Sequence, residues 1–76
     1  MANKTLDLSG LQCPMPILKT KKAVAGLPKG ATLEVLATDP GAPADFEAWC
    51  AQSSNTLVES TEAAGVFRFV IRHTAA

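Results

Sequence analysis

A chain of 76 residues with seven basic and seven acidic side chains and no net charge has room for a single domain, 1–76, whose core must be economical because so short a chain buries only about 60% of its unfolded surface. The neutral balance argues against a protein held on nucleic acid chiefly by phosphate contacts, and direct nucleic-acid binding is not expected. No run of 18 or more apolar residues is present, and Met1-Ala2-Asn3-Lys4-Thr5 does not build the apolar region of a signal peptide, so a soluble, cytoplasmic protein with no membrane partner is expected.

Leu6 and Leu8 alternate with Thr5, Asp7 and Ser9, which predicts a short first strand ending at Ser9-Gly10. Gly10 to Gln12 then turns into Cys13-Pro14-Met15-Pro16, and Ile17 to Leu27 carries apolar residues at helical spacing up to the stop at Leu27-Pro28-Lys29-Gly30. Proline is favoured at the first helical position, where its missing amide donor has no intrahelical partner, so Pro14 is read as N1 and Cys13 as the N-cap. Pro16 has no amide proton, which leaves the Met15 amide to donate to the thiol. That donor and the positive helix end both favour thiolate over thiol, and cysteines at helix N-termini can titrate as low as roughly 3.5 to 7.5. A buried structural cysteine is the plainer alternative, but the helix start and the doubled proline favour a chemical role for Cys13.

On a helical wheel Pro16, Ile17, Thr20, Ala23, Val24 and Leu27 share the face expected to meet a sheet. Met15, Leu18, Lys19, Lys21 and Lys22 lie outside it, which is either a solvated lysine face or a docking surface close to Cys13; Met15, Leu18, Lys19 and Lys22 are the candidate docking residues.

Ala31 to Thr38 predicts a second strand, with Leu33, Val35 and Ala37 alternating against Thr32, Glu34 and Leu36; an apolar Leu36 on the polar side makes that strand central. Thr38-Asp39-Pro40-Gly41 turns the chain into a second helix over Ala42 to Ser53, with Asp45 and Glu47 near its positive end and Phe46, Trp49 and Cys50 on one face. Cys50 is therefore expected in the core and not as a resolving thiol. Leu57 to Thr61 and Val66 to His73 follow as two strands around Glu62-Ala63-Ala64-Gly65, a hairpin connection, with Phe67, Phe69 and Ile71 toward the core and Val66, Arg68, Val70 and Arg72 opposite. His73, the only histidine, falls at a fraying strand end and reads as a surface residue.

This order predicts an α+β fold, β-α-β-α-β-β, with a four-stranded mixed sheet and both helices on one face in a two-layer α/β sandwich. Strand-helix-strand units make right-handed crossovers, so a sheet growing outward in one direction carries both helices on the same side and ends in an antiparallel strand, with its other face in water.

Gly10-Leu11-Gln12-Cys13-Pro14-Met15-Pro16-Ile17-Leu18, Lys19-Thr20-Lys21-Lys22-Ala23, Thr38-Asp39-Pro40-Gly41 and Ala48-Trp49-Cys50 together resemble the TusA (SirA-like) sulfur-carrier family, with its Cys-Pro-x-Pro motif, over essentially the whole chain. The resemblance implies a cytoplasmic carrier of sulfurtransferase type, without independent hydrolytic or redox turnover, that holds sulfane sulfur as a persulfide on Cys13, with Pro14 and Pro16 as its geometric support. It further implies a donor such as a rhodanese or cysteine desulfurase, a DsrE-like acceptor, and a relay feeding tRNA 2-thiouridine synthesis, molybdenum cofactor assembly or sulfur oxidation. Some members of the tRNA pathway carry a basic residue where this chain has Gln12, which leans the reading toward sulfur metabolism.

The residues themselves constrain the chemistry. Neither the two cysteines nor any other group shows metal-site or disulfide-framework spacing, so reduced thiols, no metal and no cofactor are expected. Pro16 occupies the position of a second cysteine in a C-x-x-C pair, which argues against a dithiol oxidoreductase. No base is expected close enough to Cys13 for hydrolysis. Two rivals remain. One is a non-catalytic protein- or RNA-binding regulatory module, whose binding persists in Cys13→Ala; the other is a thiol-redox sensor, which forms sulfenic acid or a Cys13-linked dimer and no stable persulfide.

Overall fold

A computed structural model describes residues 4–12 and 14–74. The elements run β1 (Lys4–Asp7), α1 (Met15–Ala25), β2 (Thr32–Ala37), α2 (Ala42–Ser53), β3 (Thr56–Ala63) and β4 (Val66–Arg72), in the order expected. They form two layers, a four-stranded mixed sheet with both helices on one of its faces.

The strand order is β1-β2-β4-β3. β1 is parallel to β2, and β4 is antiparallel to both of its neighbours. The last strand is thus the antiparallel one and β2 is internal, as expected, but the sheet does not grow outward in one direction: β4 enters between β2 and β3. Composition explains the insertion. β4 carries Phe67, Phe69, Val70 and Ile71 and gains most from two paired edges, whereas β3, with Glu59, Ser60, Thr61 and Glu62, tolerates water on one side. A shift in register between Leu57 and Glu59 leaves Val58 exposed and bends this edge away from further pairing. The hairpin is tighter than the four-residue connection expected. β3 continues to Ala63, and Ala64 and Gly65 make a two-residue turn with φ of 51° and 82°, the doubly positive backbone of the turn that matches strand twist.

One apolar layer fills the space between sheet and helices. Leu33 and Val35 of β2 register with Ile71 and Phe69 of β4, and all four are shielded from solvent together with Phe46 of α2. The Phe46 and Phe69 rings stack at 4.4 Å and 14°, and burial of one such ring stabilises the fold by about 1.5–3 kcal/mol. α1 buries Pro16, Thr20 and Val24, with Ile17, Ala23 and Leu27 packed at the margin of the same cluster, which is the predicted face. α2 buries Ala42, Phe46, Trp49 and Cys50, and the predicted core position of Cys50 is correct.

The opposite sheet face is held by ions. Arg68 of β4 donates from Nε to Glu34 of β2 and from Nη1 to Glu59 of β3 (2.6 Å), and Thr5 Oγ1 of β1 donates to Glu34 (2.9 Å). These side chains tie all four strands together and enclose Val70, which was expected in water but is 5% exposed; its register partners are Glu34 and Glu59. The hydrogen bond from Arg68, then that from Thr5, hold the Glu34 carboxyl below its ordinary value of 4.5.

Two outcomes are expected. The Thr20 hydroxyl is buried without a hydrogen-bond partner, and leaving such a group unpaired costs about 1–3 kcal/mol. Thr20→Val therefore raises stability, by about 1 kcal/mol, read as a higher urea midpoint at unchanged m-value. Because Glu34 has a depressed folded-state pKa, its contribution is complete above about pH 4.5 and is lost as pH falls through the lower folded value. Glu34→Gln thus shows a shallower loss of stability between pH 4.5 and pH 3 than the parent protein, measured by urea unfolding across that range; parallel curves would contradict the assignment.

Candidate functional site

Parallel pairing of β1 with β2 brings the loop leaving β1 and the loop leaving β2 to the same end of the sheet, where α1 and α2 both begin. In sheets with parallel strands this carboxyl end is where side chains from successive loops converge. Two bonds hold the first of these loops against the end of β2 and its loop, and a third closes the first loop on itself. The Leu8 amide donates to Leu36 O (2.7 Å), the Gly10 amide donates to Thr38 Oγ1 (2.8 Å), and the Leu11 amide returns to Leu8 O (3.2 Å). Gly10 takes φ of 85°, a left-handed conformation open to glycine at little cost. The Ser9 amide donates to Asp7 Oδ1 (3.0 Å) and starts the turn.

The helix begins one residue later than its sequence suggests. Pro14 is the N-cap, with φ −96° and ψ 11°, and no side chain caps the helix. Met15 is the first helical residue, its amide donates to Gln12 O (2.9 Å), and the first turn closes from the Leu18 amide to Pro14 O (3.1 Å). The expected role of Cys13 as N-cap and the expected bond from the Met15 amide to its thiol are therefore both corrected. Gln12 O, one residue further back, provides a main-chain acceptor in line with the chain, and a carbonyl outcompetes a weakly accepting sulfur. Cys13 itself lies outside the described residues.

The two prolines of the motif divide the work. Pro16 is buried as the first contact of α1 with the core, whereas Pro14 is exposed. Both lack an amide proton, so neither adds an unsatisfied donor at the helix start. The candidate docking residues follow directly: Met15 is 41% and Leu18 50% exposed, and Lys19 and Lys22 are exposed farther along the helix.

From Pro14 a groove of about 250 Å³ runs between the helices, walled by Ile17 and Lys21 of α1 and by Asp45, Ala48, Trp49 and Gln52 of α2. The reading of the sequence missed it. The signal was present in the helical spacing of Asp45, Ala48, Trp49 and Gln52, which marks a second flank of α2 beside its core face.

Cys50 and His73, the two other groups weighed for the chemistry, are both held in structural settings. Burial pushes the Cys50 thiol up from 9.0 to about 11, so it stays protonated at neutral pH, and Cys50 is a free thiol. His73 sits at the far end of the sheet, where its amide donates to Ala31 O (2.9 Å) and its carbonyl accepts from Gly30 (2.8 Å). Since β2 spans six residues between that end and Thr38, the separation is about 20 Å. His73 is not the frayed surface residue its position suggested: it is half-buried, and Nδ1 donates to Leu27 O (2.8 Å), fastening the exit of α1 to the end of β4. Among the described residues no group of His, Cys, Asp and Glu side chains is arranged to hold a metal ion, and no helix is long and apolar enough to cross a membrane.

Known proteins share both the sequence and the fold. The chain matches the family described as Sulfurtransferase TusA over residues 4–73. It is 52% identical over 73 residues to a Neisseria meningitidis protein provisionally named a sulfur carrier, covering 96% of this chain and 99% of that one. To the sulfur carrier protein TusA of Allochromatium vinosum it is 47% identical over 70 residues, 92% of each chain. The crystal structure of a SirA-like protein from Desulfitobacterium hafniense superposes with a TM-score of 0.82 at 25% identity, covering 93% of this chain and 97% of that one. With the same two helices on the same mixed sheet, and a match that runs through the Cys-Pro-x-Pro segment, this chain belongs to the TusA (SirA-like) family.

Proposed function

We propose that the protein is a single-domain sulfur carrier that accepts sulfane sulfur as a persulfide on Cys13 and passes it to a thiol of an acceptor protein. Its relatives carry the name of sulfur carrier. The observation that carries the assignment to a particular residue is the protonated, core-bound state of Cys50, which leaves Cys13 as the cysteine suited to nucleophilic sulfur chemistry.

In the loading step the Cys13 thiolate attacks the outer sulfur of a donor persulfide. A new sulfur–sulfur bond forms at Cys13, the donor's own sulfur–sulfur bond breaks, and the donor cysteine leaves as thiolate. In the unloading step an acceptor thiolate attacks the outer sulfur on Cys13, which is released as thiolate. The two exchanges balance without an external oxidant or reductant, so one cysteine suffices, and no general base is required because each leaving group is itself a thiolate. Pro14 and Pro16 support this role by starting α1 within two residues of the cysteine in the chain.

The partners dock on the surface beside the motif. Met15 and Leu18 are large, exposed and adjacent to it, and Lys19 and Lys22 give the same helix a cationic face. A rhodanese or a cysteine desulfurase is a suitable donor and a DsrE-like protein a suitable acceptor, within the cytoplasm.

Incubation with a sulfane-sulfur donor followed by intact-mass spectrometry tests the assignment. A gain of one sulfur is expected on the parent protein and on Cys50→Ser and not on Cys13→Ser; a sulfur adduct on Cys13→Ser would sink it. At pH 8 a thiol titrating near 11 is about a hundredfold less ionised than one at 9, so iodoacetamide is expected to label Cys13 well before Cys50 in the folded protein, and both in urea.

A further inference from the structure

The outer flank of α1 overhangs the free edge of the sheet, and three observations meet there. β1 has a neighbour on one side only. The Leu8 amide is directed at β2, so by strand alternation the backbone groups of Lys4 and Leu6 face β2 while those of Thr5 and Asp7 face outward without a ladder partner. A groove of about 280 Å³ lies alongside, lined by Leu6 of β1 and by Lys19, Lys22 and Ala23 of α1. Leu6 registers with the core residue Val35, and Lys4, two residues before it, projects to the same side. Finally, this groove has an apolar floor and a cationic rim with no acidic side chain in its lining, and the ion pairs among the described residues belong to Arg68 on the opposite face.

We propose that this groove receives an extended acidic segment of a partner protein, which adds as a fifth strand along β1. Main-chain groups of the segment pair with the outward amides and carbonyls of Thr5 and Asp7. An apolar side chain on its helix-facing side enters between Leu6 and Ala23, and carboxylates two residues away on either side meet Lys19 and Lys22. The charge on the rim decides the occupant. A second copy of this chain would bring its own Lys4, Lys19 and Lys22 against the same cations, whereas an acidic strand is complementary. The location gives the contact a purpose, because β1 runs directly into the loop that carries Cys13. The inference deepens the carrier reading and rests on it only for the partner's being a sulfur donor or acceptor.

The test uses the full chain and a fluorescent nine-residue peptide that alternates threonine with a Glu, Glu, Val, Glu, Glu face, read by anisotropy at low salt. Saturable binding is expected, weakened more than tenfold in the Lys19→Glu/Lys22→Glu double variant. Thr5→Pro, which removes one outward amide, is expected to weaken binding to a similar extent, while Thr5→Val, which loses the same hydroxyl but keeps the amide, binds as the parent does. All four proteins are expected to load sulfur on Cys13 equally from inorganic polysulfide, a small-molecule donor that needs no protein docking surface, so a loss of peptide binding with intact polysulfide loading separates this surface from the carrier chemistry. Equal affinity of Thr5→Pro and Thr5→Val, equal binding of a peptide with lysine in place of glutamate, preference for a single-stranded RNA oligonucleotide, or absence of peptide binding would each overturn the proposal. Should Thr5→Pro fail to give the parent's circular dichroism spectrum, the lysine double variant decides alone.

Discussion

The stack of Phe46 on Phe69 is the contact on which the rest of this molecule depends. A chain of this length has one apolar layer to bury, and these two rings occupy its middle, with Leu33, Val35 and Ile71 closed around them. The stack fixes α2 over β4, and in-register pairing of Phe69 with Val35 fixes β4 beside β2. Once β4 lies there, β3 is confined to the edge and the polar face falls into register as well, so that Arg68 lies between Glu34 and Glu59. Aromatic packing on one side of the sheet thereby decides which charges meet on the other.

The same arrangement finishes the two ends of the sheet differently. At one end, His73 clasps Leu27 O and the strand ends are zipped through Gly30 and Ala31. At the other, the loops after β1 and β2 are held by Thr38 and Leu36, and the helix starts project outward. Persulfide exchange of the kind proposed needs a nucleophilic thiolate and access for a partner, and requires no further catalytic group. The surface around the start of α1 is varied: apolar at Met15 and Leu18, grooved between the helices below Pro14, and cationic toward the β1 edge. In the proposed role one cysteine must meet at least two proteins, and these distinct surfaces around one helix would let it do so without enlarging the domain.

Much of the fold was legible in the residues because the relevant signals are local. Alternation in β2 and β4, helical spacing in α1 and α2, and the arc of Phe46, Trp49 and Cys50 are properties of neighbouring side chains, and each element and its buried face followed from them. Errors arose where competition between groups decides the outcome. Whether the Met15 amide turns to a thiol or to Gln12 O depends on loop geometry, which spacing does not report. Val70 reads as a solvent residue in an alternating strand and becomes buried because two carboxylates from other strands converge on Arg68 above it. His73 reads as frayed until the carbonyl of Leu27, 46 positions away in the chain, is found beside it.

By itself, then, the sequence determined the six elements, their order and the layer that most apolar faces join, and it marked Cys13 as the candidate residue, since all of these rest on periodicity and on the conformational restrictions of proline and glycine. Tertiary structure alone decided that β4 separates β2 from β3, that Pro14 and not Cys13 caps α1, that Cys50 is shielded enough to stay protonated, and that two grooves flank α1. Apart from the cap, which a bond three residues long settles within its own loop, these outcomes are set by contacts between segments distant in the chain, where burial and pairing are resolved only when the layers close.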